Sequence, residues 1–464
     1  MIASSPQSEN EADSEPPPDE KSDQCSIRGR TILVINTGSL AFGKRFILER
    51  IKRLGLKIVM LHREKNWADP FVDYWIFADT YNHQECVDNI KKFLKKNPAI
   101  KIEGATTFWE DDIPLLARIC EEFGYIGNSR EVAINTRSKF DMQEVLRIKD
   151  RPFIPQRLLK QEKDIEEAIR SIGFPAVIKP RYGADSQYVV YVTNEKEARA
   201  AYQYVCENCT PSFDPIYTYN HSEFVYQKFI QGKEWSIECC IQNEEIHVIG
   251  INEKLGMNLP FFIEEGDYCP PRIDSEQEHT LVQETKAALK ALGLQNSLAH
   301  LEIKLTKQGP KIIEVGSRMG GVYIYQNVKQ VYGFDLVRAA CEIALGISMT
   351  EKPKLPQKHV VAKFFMPKTS GMITRMKGFD ILENHPYVID SFVYKKPYNN
   401  IFVPPEGYET LGWVITGGNS AREAEYKMDQ VMKSVQWDIS VFPQPFSSPS
   451  SGSVFARPPV IAFH

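Results

Sequence analysis

The sequence lacks any run approaching the roughly 18–20 consecutive apolar residues that a membrane-spanning helix needs. It also lacks a large excess of either charge, because 56 Lys and Arg residues face 60 Asp and Glu residues, giving a formal charge of -4. A chain with that balance has no overall electrostatic attraction to nucleic acid or to an anionic membrane. We therefore expect neither as a partner.

The first residues, Met1 to Asn10, lack the positively charged segment followed by an apolar segment that a secretory signal has. Cysteine is sparse and odd in number, with nine residues spread along the chain, which disfavours a disulfide scaffold. Cys206 and Cys209 form a lone C-x-x-C pair, and without a second pair nearby a structural zinc site is disfavoured. These features predict a soluble, cytoplasmic protein.

Composition and pattern divide the chain into five parts. Residues 1–28 are rich in Pro, Ser and acidic residues and predict a disordered acidic tail, and residues 443–464 predict a second tail. Between the tails we expect an α/β domain at 29–130, a mixed α+β domain at 131–350 and a smaller α+β domain at 351–442. No internal repeat of fixed period is evident.

The first predicted domain alternates strand-like and helix-like segments. Short apolar runs at Thr31–Asn36 and Leu56–Leu61 predict strands, and a further strand is plausible at Tyr74–Phe77. Between these runs and after them, apolar residues recur at the spacing of a helix. This alternation predicts an open, mostly parallel α/β sheet. The turn Thr37–Gly43 lacks the G-x-G-x-x-G spacing, so dinucleotide binding is disfavoured. Trp109–Asp112 resembles a helix start whose acids favour the helix dipole.

Two glutamates in neighbouring strand-like runs, Glu302 and Glu314, are the most informative pair in the chain. Their numbers have an even sum, so a hairpin with a three- or five-residue loop places the two carboxylates opposite each other. Mg²⁺ commonly takes one or two carboxylates plus substrate phosphates. The alternative, equally favoured from spacing alone, is two solvated glutamates paired with Lys304 and Lys311.

Three basic residues add to this pattern. Arg318 follows Glu314 at a Gly-rich loop and could neutralise a developing phosphate or oxyanion charge, although a surface Arg is the commoner case. Lys179 ends an apolar strand before the small-residue loop Gly183–Ser186 and either binds an anion there or reaches solvent. Lys139, near a helix start, is by itself a weaker candidate.

Taken together and in order, these segments resemble the ATP-grasp carboxylate–amine ligases, and within them the dipeptide-forming L-amino-acid ligases and carnosine-synthase-like enzymes. The resemblance covers roughly residues 30–440. It rests on the following stretches: RSKFDMQEVL, FPAVIKPRYGADS, FVYQKFIQGKEWSIE, PFFIEEGDYCPP, HLEIKLTKQGPKIIEVGSRMGG and GFDLVRAACEIALGI. It implies the ATP-grasp fold, of mixed α/β and α+β class, with an N-terminal parallel α/β domain, a two-lobed grasp and a C-terminal lid.

The resemblance also implies an ATP-binding site. Two lysines would hold the α- and β-phosphates, a flexible flap would cover them, and a segment between two lobes would meet the adenine and ribose. The residues at these positions are Lys139, Lys179, Gly183, Ser186, Gln227, Lys228, Phe229, Ile230 and Glu234. Gln227 stands where the family more often has Glu, and Gln187 where Gly is common, which implies a stiffer flap.

For the chemistry, the resemblance implies that Glu302 and Glu314 bind Mg²⁺ (or Mn²⁺) and that Arg318 stabilises the acyl phosphate. Glu264 matches a residue that meets the amino-acid substrate, and Asp267 stands where close relatives tend to have His. Gly316 replaces an Asn metal ligand of other branches.

His300 lies on the face of Glu302 and is either a pocket residue or an ordinary sheet histidine.

The implied activity is that of an ATP-dependent, ADP-forming ligase that joins a carboxylate, expected to be that of an amino acid, to an amine. The partners are these small molecules, and a homodimer is kept open. Two alternatives stay open as well: an ATP-grasp enzyme of another branch, such as a carboxylase or a purine-pathway ligase, and a nucleotide-binding regulator without turnover.

Overall fold

The computed structural model describes residues 27–38, 44–212, 214–218 and 222–442. The predicted tails therefore lie outside the described residues, apart from the last two positions of 1–28. One of these, Ile27, is buried, so the folded part begins slightly earlier than the predicted boundary. Within the described ranges, no helix is both long and apolar enough to span a membrane.

The N-terminal part is a four-stranded parallel sheet with the order β3-β2-β1-β4, which confirms the predicted open α/β arrangement. Its first strand is buried along its whole length, as expected for a parallel sheet covered on both faces. The elements are β1 (Thr31–Ile35), α1 (Arg45–Arg53), β2 (Lys57–His62), β3 (Tyr74–Phe77), α2 (His83–Lys96), β4 (Gly104–Thr107) and α3 (Ile113–Phe123).

A linking pair of helices and a small antiparallel sheet of order β5-β8-β6-β7 follow. Ser138 ends the first helix of the pair and caps the second, accepting a hydrogen bond from the amide of Asp141 at 3.2 Å. The elements are α4 (Arg130–Arg137), α5 (Lys139–Ile148), β5 (Gln156–Leu159), α6 (Asp164–Ile172), β6 (Ala176–Pro180), β7 (Val190–Val192), α7 (Glu195–Asn208) and β8 (Phe224–Lys228).

The largest element is an eight-stranded antiparallel sheet of order β13-β12-β9-β10-β11-β14-β18-β16. Its members before the predicted boundary at 350, with their helices, are β9 (Lys233–Gln242), β10 (Glu245–Leu255), β11 (Gly266–Cys269), α8 (Ser275–Leu292), β12 (Ser297–Thr306), β13 (Gly309–Gly316), α9 (Ile324–Tyr332) and α10 (Leu336–Ala344).

The C-terminal part continues this sheet and adds a three-stranded one of order β17-β15-β19. Its elements are β14 (His359–Phe364), β15 (Gly371–Lys377), β16 (Val388–Val393), β17 (Asn400–Ile401), β18 (Gly412–Gly418), α11 (Ala421–Ser434) and β19 (Gln436–Val441). One sheet thus crosses the predicted division between 131–350 and 351–442, and the division into domains stays a prediction.

Side-chain alternation along β12 sets the position of the candidate site. Leu301 and Ile303 are fully buried in a core cluster shared with α5 and α8. The intervening residues His300, Glu302 and Lys304 take the opposite face of the sheet, as the period of two in a strand requires. This polar face carries the chemistry described below.

Candidate active site

Glu302 and Glu314 are direct cross-strand partners on β12 and β13, which confirms that the hairpin sets them opposite each other. The predicted three- or five-residue loop is wrong. Thr306 pairs with Gly309, so the loop has only Lys307 and Gln308. A β-bulge beside Glu302 then shifts the pairing of the two strands by one residue, which sets Glu302 opposite Glu314. A bulge inserts one unpaired residue, which is why the parity of the sum could not reveal the loop length.

Each glutamate is held by a lysine from elsewhere in the chain. Lys139 Nζ donates to Glu314 Oε1 at 2.8 Å, and Lys254 Nζ donates to Glu302 Oε1 at 2.5 Å. The alternative pairing with Lys304 and Lys311 is therefore wrong for the described residues. Opposed carboxylates repel, so a positive charge on each is required where no metal bridges them.

Lys254 is the centre of a buried ion cluster, and sequence reasoning missed it. Besides Glu302, its ammonium lies 3.2 Å from Glu234 and 3.3 Å from Glu264. Burial alone would lower the pKa of Lys254, but the Glu302, Glu264 and Glu234 carboxylates raise it well above its ordinary value. In the sequence Lys254 directly follows the polar residues Asn252 and Glu253, so it resembles an ordinary solvent-facing lysine.

The two lysines predicted to bind phosphates lie together. Lys139 Nζ also donates to the carbonyl of Gly183 at 2.8 Å, and Lys179 Nζ donates to Gln227 Oε1 at 2.9 Å. Burial, followed by repulsion from Lys139, lowers the pKa of Lys179 to about 8. Two buried ammonium groups this close favour a polyanion between them.

The segment predicted to meet adenine, Gln227 to Ile230, spans the end of β8 and the two residues after it. The Phe229 ring packs edge-on against Tyr191 with centroids 4.8 Å apart, while Lys228 Nζ turns away to the carbonyl of Phe174 at 2.9 Å. The carbonyl of Ile230 accepts a hydrogen bond from Lys304 at 3.4 Å. An aromatic ring beside backbone polar groups is suited to a planar base.

Glu234, predicted to reach the ribose, is buried between two lysines. Its carboxylate lies 3.2 Å from Lys254 Nζ and 3.3 Å from Lys304 Nζ. The same carboxylate therefore joins the ion cluster at Glu302 to the adenine segment through Lys304. Its role toward the ribose stays a prediction.

The flap, Tyr182–Tyr188, packs against the site through its backbone. The carbonyl of Gly183 accepts from both Lys139 and Arg137, the latter at 3.3 Å. Asp185 and Ser186 have φ of 54° and 55°, a region that is strained for residues other than glycine. Such strain marks a segment that the surroundings hold in place, which fits a cover over bound phosphates.

Arg318 forms an ion pair with Glu110, which lies in the turn between β4 and α3. Arg318 Nε lies 2.7 Å from Glu110 Oε2, and its Nη1 donates to the carbonyl of Met319 at 2.8 Å. Burial opposes the charged form, but Glu110 and then Asp185 raise the pKa of Arg318 above its ordinary value. The guanidinium is thus fixed and charged, although Glu110 was not among the predicted site residues.

The acidic turn Glu110–Asp112 precedes α3, so the predicted helix start is confirmed, and the interaction of its acids with the helix dipole stays a prediction. Asp111 accepts from Arg137 at 3.1 Å and Asp112 from Asn36 at 2.9 Å. All three acidic residues are buried, so their carboxylates also meet side chains inside the protein.

His300 has a definite partner. Its Nδ1 hydrogen-bonds Glu238 Oε1, and its Nε2 lies 3.7 Å from Glu302 Oε1. Burial lowers the pKa of His300, but Glu238 and then Glu302 outweigh it and raise the pKa to about 10. Glu238 also accepts from the amide of Gly320 at 2.9 Å and was missed because a glutamate in a strand gives no sign of burial.

Glu264 and Asp267 lie together at the end of the cluster. The Tyr323 hydroxyl donates to Glu264 at 3.5 Å. Asp267 is 1% exposed, and neither of its oxygens has a hydrogen-bond partner of good geometry among the described residues. Burial, then the nearby Glu264, raises the pKa of Asp267 well above its ordinary value. These surroundings favour the protonated form of Asp267 relative to a solvent-exposed aspartate.

Two family models match this chain. One, described as an ATP-grasp domain, matches residues 172–326. The other, described as L-amino acid ligase C-terminal domain 2, matches residues 363–440. The first contains Lys179, Glu302, Glu314 and Arg318.

Curated relatives include carnosine synthase 1 of Homo sapiens, 25% identical over 351 residues that make up 73% of this chain and 42% of that protein. Alanine–anticapsin ligase of Bacillus subtilis (strain 168) is 28% identical over 295 residues, covering 60% of this chain and 62% of the relative. The chain thus matches less than two thirds of the length of either relative.

Solved structures resemble it over most of its length. An L-amino acid ligase from Bacillus licheniformis superposes with a TM-score of 0.76 at 22% identity, covering 89% of this chain and 99% of the other. A phosphoribosylglycinamide synthetase from Anaerococcus prevotii gives a TM-score of 0.65 at 18% identity, covering 89% and 100%. These likenesses show that the fold is ATP-grasp.

Proposed function

We propose, for a chain that carries an ATP-grasp domain followed by an L-amino acid ligase C-terminal domain, that it is an ATP- and Mg²⁺-dependent ligase. It activates a carboxylate, that of an amino acid, as an acyl phosphate and joins it to an amine, releasing ADP and phosphate. The observation that carries the proposal is that Glu302 and Glu314 face each other across two strands and that each accepts a hydrogen bond from a lysine. Arg318, four residues after Glu314, is held in place by its ion pair with Glu110.

The residues present fit a magnesium ion. Glu302 and Glu314 offer hard carboxylate oxygens from facing strands, and in the described chain each is charge-compensated by an ammonium group that a cation can replace. Glu302 and Glu314 would hold this ion, which would supply positive charge to neutralise the charge that develops on the nucleotide phosphates.

Lys139 and Lys179 would bind the α- and β-phosphates, because both ammonium groups are buried and lie beside the flap. Gln227 to Ile230 would meet the adenine, and Glu234 the ribose. Gly183 and Ser186 would cover the phosphates as part of the flap. That cover excludes water, which would otherwise hydrolyse the activated acid.

The reaction has two steps. A carboxylate oxygen attacks the γ-phosphorus as the bond to the ADP oxygen breaks, which gives an acyl phosphate and ADP. The amine nitrogen then attacks the acyl carbon, the carbon–oxygen bond to phosphate breaks, and the proton lost by the amine ends on the departing phosphate, which leaves as inorganic phosphate. Arg318, held by Glu110, stabilises the negative charge in both steps.

Glu264, Asp267 and His300 form the substrate end of the site. Glu264 is paired with Lys254 and partly exposed, so it can receive an ammonium group. Asp267 has a raised pKa and no good hydrogen-bond partner among the described residues, so its protonated form can donate a hydrogen bond to a substrate oxygen. His300 hydrogen-bonds Glu238 and lies 3.7 Å from Glu302, so it also positions Glu302 at this end of the site.

The match to the L-amino acid ligase C-terminal domain favours this proposal over a carboxylase or purine-pathway enzyme, whose likeness here is one of fold. The test is release of ADP with mixtures of amino acids, followed by product masses from an amino-acid pair screen. Glu314→Gln and Arg318→Ala should each lower turnover at least about 100-fold. Lys307→Met, on the exposed hairpin loop, is the matched control.

Full activity in either site variant would refute the mechanism. ATP binding without ADP release under every mixture would favour a nucleotide-binding regulator, and dependence on bicarbonate would favour a carboxylase. Thermal unfolding of each variant shows whether it is folded.

A further inference from the structure

Both acids proposed to bind magnesium are paired with a cation of the protein itself. Lys139 Nζ lies 2.8 Å from Glu314 Oε1, and Lys254 Nζ lies 2.5 Å from Glu302 Oε1. A metal ion on the second oxygen of either carboxylate would lie within about 5 Å of the ammonium, and like charges this close repel each other. The two lysines and a divalent cation therefore compete for the same pair of carboxylates.

The two lysines hold these acids from inside the protein. The side chains of Lys139 and Lys254 are 7% and 6% exposed, whereas those of Glu314 and Glu302 are 24% and 20% exposed. A metal ion that arrives from solvent thus reaches two accessible carboxylates whose charge is already compensated. Lys254 also has other carboxylates within 3.3 Å, so it keeps two ion pairs when Glu302 is given up.

The charges of this cluster leave little attraction for a free divalent cation. Four carboxylates and three ammonium groups are linked by ion pairs and by the pairing of Glu302 with Glu314: Glu234, Glu264, Glu302, Glu314, Lys139, Lys254 and Lys304. The excess is one negative charge, which is too little to balance a divalent ion. A polyphosphate beside Lys139 supplies more negative charge and competes with Glu314 for the ammonium.

We propose that Lys139 and Lys254 act as counter-ions that close the magnesium site to a free divalent cation, so that the metal binds only together with a polyphosphate. This rests on the proposed function, which assigns Glu302 and Glu314 to the metal. The polyphosphate draws Lys139 away from Glu314, and Lys254 stays paired with its two other carboxylates when Glu302 turns to the metal. The metal acids are thus released only when a nucleotide is bound.

The test is Mn²⁺ binding to the protein without nucleotide, measured from the electron paramagnetic resonance signal of unbound Mn²⁺. Mn²⁺ accepts the same oxygen ligands as Mg²⁺. Wild-type protein should bind it weakly, and Lys254→Met should bind it about 10- to 100-fold more tightly, because a cation close to the site is removed. Lys139→Met should show a gain of similar size. Lys254→Arg keeps the charge and should bind Mn²⁺ as weakly as wild-type protein.

Lys304→Met is the matched control. It removes one ammonium from the same cluster, but among the described residues its ion pair is with Glu234 and not with a metal acid. It should change the affinity for Mn²⁺ less than about threefold, because a more distant charge is better screened. In the double variant Lys254→Met/Glu302→Gln the gained affinity should be lost, which would assign the bound ion to Glu302. Circular dichroism shows whether each variant is folded.

A second readout concerns the polyphosphate. Water-proton relaxation rises when Mn²⁺ is bound to protein, so wild-type protein should raise it beyond the level of Mn²⁺ and a non-hydrolysable ATP analogue alone. Without the analogue, the same protein should raise it little. This measurement uses no variant and therefore does not depend on the folding of Lys254→Met or Lys139→Met.

The proposal is overturned if wild-type protein without nucleotide binds Mn²⁺ as tightly as both lysine variants, or if Lys304→Met gains as much as they do. It is also overturned if the gain survives Glu302→Gln or if the analogue does not improve Mn²⁺ binding. ADP release with amino-acid mixtures is measured separately on the same preparations. Turnover by wild-type protein without the expected Mn²⁺ affinities would leave the ligase proposal standing alone, and the expected affinities without any turnover would do the reverse.

Discussion

Removal of the Lys254 charge should destabilise the protein strongly and in a pH-dependent way. Its ammonium holds three carboxylates, at 2.5 Å from Glu302, 3.2 Å from Glu234 and 3.3 Å from Glu264. Lys254→Met keeps much of the side-chain volume but leaves these acids facing one another without their cation. Breaking a buried ion pair by removing one partner costs about 3–5 kcal/mol.

This loss of stability corresponds to a measurable fall in Tm. At about 2 °C per kcal/mol for a unit of this size, Lys254→Met should lower Tm by about 6 °C or more at pH 8 without Mg²⁺. In wild-type protein the pKa of Glu302 is held well below its ordinary value, chiefly because Lys254 and then His300 outweigh burial. Glu302 therefore adds stability above its unfolded pKa, and that stability is lost as pH falls through its folded pKa.

In Lys254→Met the pKa of Glu302 rises, because this carboxylate loses its cation. The deficit in Tm should therefore shrink as pH falls from 8 to 5, when Glu302 takes up a proton. Differential scanning calorimetry across this range measures it, with Lys307→Met as control. A shift below about 2 °C, or one that does not change with pH, would refute the assignment of Lys254 as the central cation.

Three further outcomes are expected. Glu110→Gln should lower kcat about 10- to 100-fold, because the variant loses the ion pair that fixes Arg318; unchanged steady-state kinetics would contradict this. ATP affinity, measured by calorimetry, should fall as pH rises through about 8, the pKa of Lys179. Lys179→Arg should abolish that pH dependence, and an equally steep fall in this variant would point to another group. Asp267→Asn should change Tm little at pH 7, because burial and the nearby Glu264 favour the uncharged form of Asp267, and a fall of several degrees would contradict this.

The strands and the pairing of their central acids were predictable from the sequence. Apolar runs and their order identified the parallel N-terminal sheet, and the runs around Glu302 and Glu314 identified the hairpin. Local patterns suffice here because strand pairing across a short loop depends on neighbouring residues. Short elements of ambiguous composition, such as Gly104–Thr107 and Gln156–Leu159, were not predicted; their pairing with other strands defines them.

The sequence segments that resemble the ATP-grasp ligases, taken in their order along the chain, predicted the ATP-grasp fold, and the comparisons confirm it. The candidate site was predicted only in part. Lys179, Glu302, Glu314 and Arg318 stood out because each sits in an apolar run or beside a glycine-rich loop. Their roles toward nucleotide, metal and substrate stay predictions that the proposed experiments test.

The partners of these residues required the tertiary structure. Lys254, Glu238 and Glu110 come from three separate segments, and each resembles an ordinary solvent-facing charge in the sequence. In the folded chain they are buried against opposite charges; Glu110, for example, pairs with Arg318, which lies 208 positions later in the chain. A charged residue acquires its pKa and its function from the groups folded against it, and those groups are set by the packing of distant elements. The sequence determined which elements form and which acids face each other, and the tertiary structure decided which charges hold them.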